Sequence, residues 1–177
     1  MQSHHKVLTH DTEVSIWVVD AKVFGDGTHE STQIVLDALY HQKPEGKTVF
    51  DMGTGTGIQS IFAKKWGASE VLAVDVLPEC IFTARKNFKD NHVDVTSRPN
   101  IYNEFIDDEY DITVVNLPHV GLLEYLPMAP KTMKDGGVLI FSWPKVESFD
   151  MVDLDGYDIT EHLKGVEYDA YVIRRAK

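Results

Sequence analysis

The stretch VFDMGTGTG, Val49 to Gly57, constrains the fold more than any other part of the chain. A hydrophobic run ends in a carboxylate, and glycines follow at alternate positions. A strand that passes through a glycine turn into a helix brings bare backbone and a helix N-terminus close to a ligand, and this unit opens many α/β sheets. The flanking pattern agrees with it. Lys47 to Met52 is a short apolar run rich in strand formers, Ile58, Ile61, Phe62 and Trp66 recur at helical spacing, and Gly67 stands where the helix should stop.

The alternation continues downstream. Val71 to Val76 is a second run, apolar except for Asp75 near its end, as expected of a strand covered on both faces. Pro78 marks the start of a helix that carries Ile81, Ala84 and Phe88 on one face, and NHVDV enters a third strand. Asp111 to Asn116 is the clearest later strand, and Gly137 to Trp143 forms another after a DGG turn. Between these two strands Pro127 and Pro130 each remove a backbone donor, so Val120 to Lys134 reads as a broken helix or two short pieces. In the tail, GYDIT and YDAYVIRR pair as an antiparallel hairpin, although no strong two-residue turn signal connects them. Little room is left for a full helix after FSWP. Ahead of the core, EVSIWVV reads as a strand, and FGDGTHEST leads into a helix with Ile34, Val35, Ala38 and Leu39 on its apolar side. The sum is an open, mostly parallel α/β sheet.

With 177 residues and no linker rich in proline, glycine or serine, the chain reads as one domain: a lead-in over 1–22 packed on the core of 23–177. No segment approaches the ~20 unbroken apolar residues of a membrane helix, and the N-terminus lacks a signal-peptide pattern. Cys80 is the sole cysteine, which excludes an internal disulfide framework and makes the cytoplasm the expected location. The net charge of -11 disfavours direct nucleic-acid binding and suits either a cationic partner or plain solubility.

The glycine spacing alone also suits an ordinary strand-to-helix turn, but strand, acid, glycines, helix and second acid in order point to a ligand class. A dinucleotide fingerprint is G-x-G-x-x-G, but Gly53, Gly55 and Gly57 make G-x-G-x-G, and Asp51 would repel a pyrophosphate. A cationic, phosphate-free cofactor fits better, and S-adenosylmethionine carries both an ammonium and a sulfonium. Asp51 and the loop of Gly53, Thr54, Gly55 and Gly57 are therefore its expected cradle. Asp75 lies 22 residues beyond Gly53, placed to accept ribose hydroxyls, a device that nicotinamide enzymes share. Other chemistries fail. GKT at Gly46 to Thr48 has His41 where a P-loop needs glycine, HEST at His29 to Thr32 has Gln33 where a zinc protease needs its second histidine, and there is no G-x-S-x-G elbow. No metal site is expected.

VFGDGTHESTQIVLDAL followed by VFDMGTGTGIQSIFAKKWGA resembles the PrmA-type ribosomal protein methyltransferases, over roughly Val23 to Asn116. That resemblance implies a class I methyltransferase fold: a Rossmann-like, mostly parallel seven-stranded sheet with helices on both faces and an antiparallel C-terminal hairpin. It implies S-adenosylmethionine as methyl donor, a protein amine as acceptor and a basic ribosomal protein as partner. It also implies that Thr32, Gly53, Asp75 and Asn116 contact the cofactor. Thr32 has a second reading, since a hydroxyl near a helix start also satisfies orphan backbone donors. His29 sits at a family-typical position, and Asp26 departs from the usual threonine or serine.

Asn116 opens NLPH at a strand end, where α/β sheets place their binding crevice. The motif resembles the N-P-P-[YF] signature of planar-nitrogen methyltransferases and the N-[LI]-x-A form of PrmA-type enzymes, and matches neither cleanly. Carbonyls of Asn116 and Leu117 are expected to hold the acceptor nitrogen, with His119 a candidate base. PrmA-type enzymes carry an N-terminal substrate-recognition domain, whereas about 22 residues precede the motif here. Three readings stay open: a protein-amine N-methyltransferase, the same chemistry on a small molecule or nucleobase, and a non-catalytic cofactor-binding module completed by a partner. A nicotinamide dehydrogenase is a distant fourth.

Overall fold

The computed structural model describes residues 2–8, 13–19, 23–99 and 109–176. Seven strands form one sheet in the order β5-β4-β3-β6-β7-β9-β8. These are β3 (Thr48–Met52), β4 (Glu70–Asp75), β5 (Thr96–Pro99), β6 (Tyr110–Val115), β7 (Met133–Pro144), β8 (Tyr157–Lys164) and β9 (Tyr168–Arg175). Strands β5 to β7 pair in parallel through β4, β3 and β6, while β9 runs antiparallel to both β7 and β8. The order is that of a Rossmann-like, mostly parallel seven-stranded sheet with an antiparallel C-terminal hairpin, as expected. A separate two-stranded antiparallel ribbon joins β1 (Gln2–Leu8) to β2 (Glu13–Val19).

Side-chain alternation divides the core between the two faces of the sheet. Val49, Val71, Ala73, Ile112, Val114, Val138, Ile140 and Val172 pack on one face against α1 (Glu30–His41), α2 (Ile58–Lys65) and α3 (Pro78–Asp90), and Ile16 and Val18 of β2 join this cluster. Phe50, Met52, Val74, Val115, Leu139, Phe141 and Ile173 pack on the other face with Leu122 of α4 (His119–Tyr125), Leu126 and Ala129. The proline-interrupted segment resolves as two short pieces, α4 and a 3-10 turn over Ala129–Thr132.

Several boundaries differ from expectation. β1 pairs with β2 although its sequence, QSHHKVL, carries no clear period. NHVDV lies ahead of β5 rather than inside it, because the chain after α3 folds back onto the helix end: Val93 N–H donates to the Phe88 carbonyl at 3.1 Å. DGG is an irregularity within β7, not a turn before it, and the β6–β7 register shifts between Tyr110 and Ile112. Only a 3-10 turn, Phe149–Met151, connects β7 to β8.

The β8–β9 turn explains its own weak sequence signal. Glu30, at the start of α1, accepts hydrogen bonds from the backbone N–H groups of Val166, Glu167 (2.7 Å) and Tyr168 (3.0 Å). A carboxylate distant in sequence thus satisfies the amides that turn residues usually handle locally.

Candidate active site

Strand order reverses at β3: the chain steps outward to β4 and β5, then returns to β6 on the other side of β3. Such a switch point leaves a crevice beyond the carboxyl ends of the strands. A cleft of about 420 Å³ opens there, and its lining includes Gly53, Gly55, Asp75, Asn116 and Leu117 together with Phe24, Val76, Leu77, Val120 and Tyr125. No lysine or arginine lines it among the described residues. It is acidic at Asp75 and Glu79 and otherwise largely apolar.

The glycine turn is shaped by need. Gly53, Gly55 and Gly57 have φ of 79°, 53° and 84°, in the left-handed region that glycine enters without strain. A Cβ on Gly55 would lie 2.5 Å from the Phe24 carbonyl oxygen, and one on Gly57 would lie 2.4 Å from Phe88 Cε1. Gly57 caps α2, and its close approach lets α3 pack directly on the turn.

Asp51 does not line the cleft. It is fully buried beneath the turn, where its Oδ2 accepts hydrogen bonds from Thr54 Oγ1 and Ser60 Oγ, each at 2.6 Å. Its Oδ1 is buried with no hydrogen-bond partner. Burial outweighs the two hydroxyl contacts and pushes the carboxyl up to about 6. Asp75, at the end of β4, accepts Gly55 N–H on Oδ2 and Leu77 N–H on Oδ1, both at 3.0 Å, which aims the carboxylate along the cleft wall. Beside it, burial first and then the Asp75 charge push the Cys80 thiol up to about 12, so this cysteine stays protonated and is no nucleophile.

Thr32 is fully buried and stands behind Asn116 rather than on the cleft lining: Asn116 Nδ2 donates to Thr32 Oγ1 at 3.4 Å. His29 is the N-cap of α1, with Nδ1 accepting from Ser31 N–H at 3.2 Å, and its ring lies edge-on between Phe24 and Tyr168. His119 turns away from the lining set. Its ring meets Trp143 edge-on at 5.2 Å, its Nδ1 lies 3.6 Å from Glu147 Oε1, and its Nε2 is buried without a partner. Among the described residues no group of three or more His, Cys, Asp or Glu is placed to hold a metal.

Two contributors escaped the sequence reading. Thr56 ties the lead-in to the glycine turn through its bonds to Phe24 and Gly25, and Ser142 donates to Asn116 Oδ1 at 2.9 Å. The signal for Ser142 was a lone hydroxyl inside the apolar run GVLIFSW, where a buried polar group needs a partner.

The sequence and the fold are similar to those of known proteins. The ribosomal protein L11 methyltransferase (PrmA) family profile matches residues 1–158. The ribosomal protein L11 methyltransferase of Thermosipho africanus is 34% identical over 164 residues, covering 93% of this chain and 62% of that protein. The enzyme of the same name from Dictyoglomus turgidum is 34% identical over 142 residues, covering 80% and 48%. The chain therefore spans about half to three-fifths of the length of these relatives. Among solved structures, the ribosomal protein L11 methylase of Lactobacillus delbrueckii superposes with a TM-score of 0.76 at 26% identity, covering 88% of this chain and 82% of that one. The T. thermophilus 16S rRNA methyltransferase RsmC, solved with AdoMet and guanosine, shares the fold with a TM-score of 0.81 at 19% identity, over 99% of this chain and 51% of that one. Sequence profile, relatives and architecture agree, and the chain belongs to the ribosomal protein L11 methyltransferase (PrmA) family.

Proposed function

We propose that this chain performs S-adenosylmethionine-dependent N-methylation of a protein amine, with a basic ribosomal protein of the L11 type as acceptor. The observation that carries the reading is the cleft at the β3–β6 switch point, where Asp75, two bare glycines and Asn116 meet with no lysine or arginine among the described residues. That lining suits a donor with positive charge and no phosphate. The orphaned Asp51 Oδ1 fits a cationic group bound at the turn above it. Asp75 holds the ribose hydroxyls, and Val76 and Leu77, both exposed at the cleft, supply an apolar wall for an adenine ring.

When bound, S-adenosylmethionine supplies an electrophilic methyl group on a sulfonium and leaves as a neutral thioether. The protein's part is alignment and exclusion of water. Asn116 Oδ1 and the Leu117 carbonyl accept N–H hydrogens of the acceptor and fix its lone pair on the line of attack. Phe24, Val120 and Tyr125 keep water from that line. A lysine ammonium, with a reference pKa of ~10.4, must first lose a proton to solvent water as it enters, and the apolar side chains of the rim favour the neutral amine. His119 would take that proton only by turning its ring away from Trp143. The net charge of -11 favours approach of a basic protein, and a cytoplasmic location accompanies this reading.

The test is calorimetry with S-adenosylmethionine, S-adenosylhomocysteine and NADH, followed by transfer of labelled methyl to purified L11 and to a cell lysate, with the product located by mass. Micromolar binding of the first two and label on a lysine or N-terminal amine support the reading. Label on a nucleobase or metabolite would move the acceptor to another class. Binding with no transfer to any acceptor would favour a non-catalytic module completed by a partner.

A further inference from the structure

Two buried hydroxyls hold the Asn116 amide from different elements. The parallel register that sets Val115 opposite Phe141 carries past the end of β6 and brings Asn116 beside Ser142. Alternation fixes the face. Val114 and Ile140 pack in the α1 cluster and Val115 and Phe141 in the α4 cluster, so positions 116 and 142 project toward α1. There Ser142 Oγ donates to Asn116 Oδ1 at 2.9 Å, and Asn116 Nδ2 donates to Thr32 Oγ1 at 3.4 Å. Ser142 and Thr32 are 0% exposed and Asn116 is 4% exposed, so bulk water does not compete for these bonds.

A primary amide offers a carbonyl oxygen on one side and two N–H donors on the other. An acceptor amine needs the oxygen, because its own hydrogens must be accepted while its lone pair stays free. An amide turned the other way would present N–H against N–H.

We propose that Ser142 is a positioning residue for methyl transfer: with Thr32 opposite, its hydroxyl locks the Asn116 amide so that the second lone pair of Oδ1 is offered to the acceptor nitrogen. The proposal rests on the N-methyltransferase reading above and adds the side chain that makes Asn116 an acceptor there. It also gives Thr32 a role through Asn116 rather than by direct contact with the cofactor.

The test compares Ser142→Ala, Ser142→Cys and Ser142→Thr in the full chain, with thermal melts to confirm folding. Cysteine keeps the volume but is a weak donor, and threonine restores the hydroxyl. Binding of S-adenosylhomocysteine should stay within about 3-fold of the parent, while kcat toward L11 falls on the order of 10- to 100-fold in the alanine and cysteine variants with little change in KM. The threonine variant should recover most of the loss. By NMR, the Asn116 side-chain amide hydrogens should exchange slowly in the parent and faster in the alanine and cysteine variants. Parent-like kcat in Ser142→Ala, or amide exchange unchanged by the substitutions, would overturn the assignment. If the parent itself neither binds S-adenosylhomocysteine nor methylates L11, the N-methyltransferase reading fails, and the amide-exchange comparison still decides whether Ser142 holds Asn116.

Discussion

Thr56 donates its backbone N–H to the Phe24 carbonyl at 3.1 Å and its hydroxyl to the Gly25 carbonyl, which ties the turn after β3 to the lead-in before α1. The joint leaves no spare room. Gly25 has φ of 108°, and a Cβ there would lie 2.7 Å from Thr56 Oγ1.

Replacing Thr56 with valine keeps the shape but removes the hydroxyl, leaving the buried Gly25 carbonyl without that donor. The expected cost is about 1–3 kcal/mol of stability, measured by chemical denaturation. Because Phe24 and Gly55 line the same cleft, affinity for S-adenosylhomocysteine should weaken in parallel. Undiminished affinity in a destabilised Thr56→Val would show that the lead-in does not shape the cleft.

Glu30 acts at a distance of more than 130 residues along the chain. Burial works against its charge, but the three turn amides and then Lys145 prevail and hold its carboxyl below the usual range. The sign follows from that depression: the stabilisation is present above the unfolded pKa and is lost as pH falls through the lower folded value. Glu30→Gln should therefore speed amide exchange of Val166, Glu167 and Tyr168 at neutral pH and flatten the acid dependence of hairpin protection. Unchanged exchange at these three amides would remove Glu30 from the account of the turn.

These contacts separate what the sequence disclosed from what it concealed. β3, α2, β4 and α3 were legible because their signals are local: mainly apolar runs for strands buried on both faces, Gly57 and Pro78 at helix starts, and Gly67 at a stop. The glycines and acids of the cleft were legible for the same reason, since β3 and β4 carry them to the strand ends. Ser142 was not, because its meaning depends on a register with β6 that no local pattern specifies. The hairpin turn was obscure because its cap comes from α1. His119 looked like a reacting group by its place in NLPH, but Trp143 and Glu147, distant in sequence, determine where its ring lies.

Asn116 and His119 can be told apart by turnover. Asn116→Ala removes the group held between Ser142 and Thr32 and should lower kcat by at least about 100-fold. His119→Leu removes a buried Nε2 that has no partner but also the Nδ1 contact with Glu147 and the ring contact with Trp143, so stability should change by no more than about 1 kcal/mol, with kcat within about 3-fold of the parent. A loss of turnover in His119→Leu equal to that in Asn116→Ala would restore the histidine as a base.

Asp51 joins folding to ligand binding through pH. Its carboxyl rises from 3.8 to about 6 on burial, so the folded chain holds a proton there that the unfolded chain has released. Stability from the neutral form is thus fully present below about pH 3.8 and is lost as pH rises to about 6, by an amount on the order of 3 kcal/mol. Above that pH the ligand-free protein carries a buried charge with one oxygen unpaired. Asp51→Asn should therefore raise the melting temperature of the ligand-free protein at pH 7. A cationic donor needs the ionised form, so the same variant should bind S-adenosylmethionine more weakly, and parent affinity should fall as pH drops below about 6. Calorimetry between pH 5 and 8 checks both signs. PH-independent affinity, or a less stable Asp51→Asn, would mean that the Asp51 charge serves the fold and not the ligand.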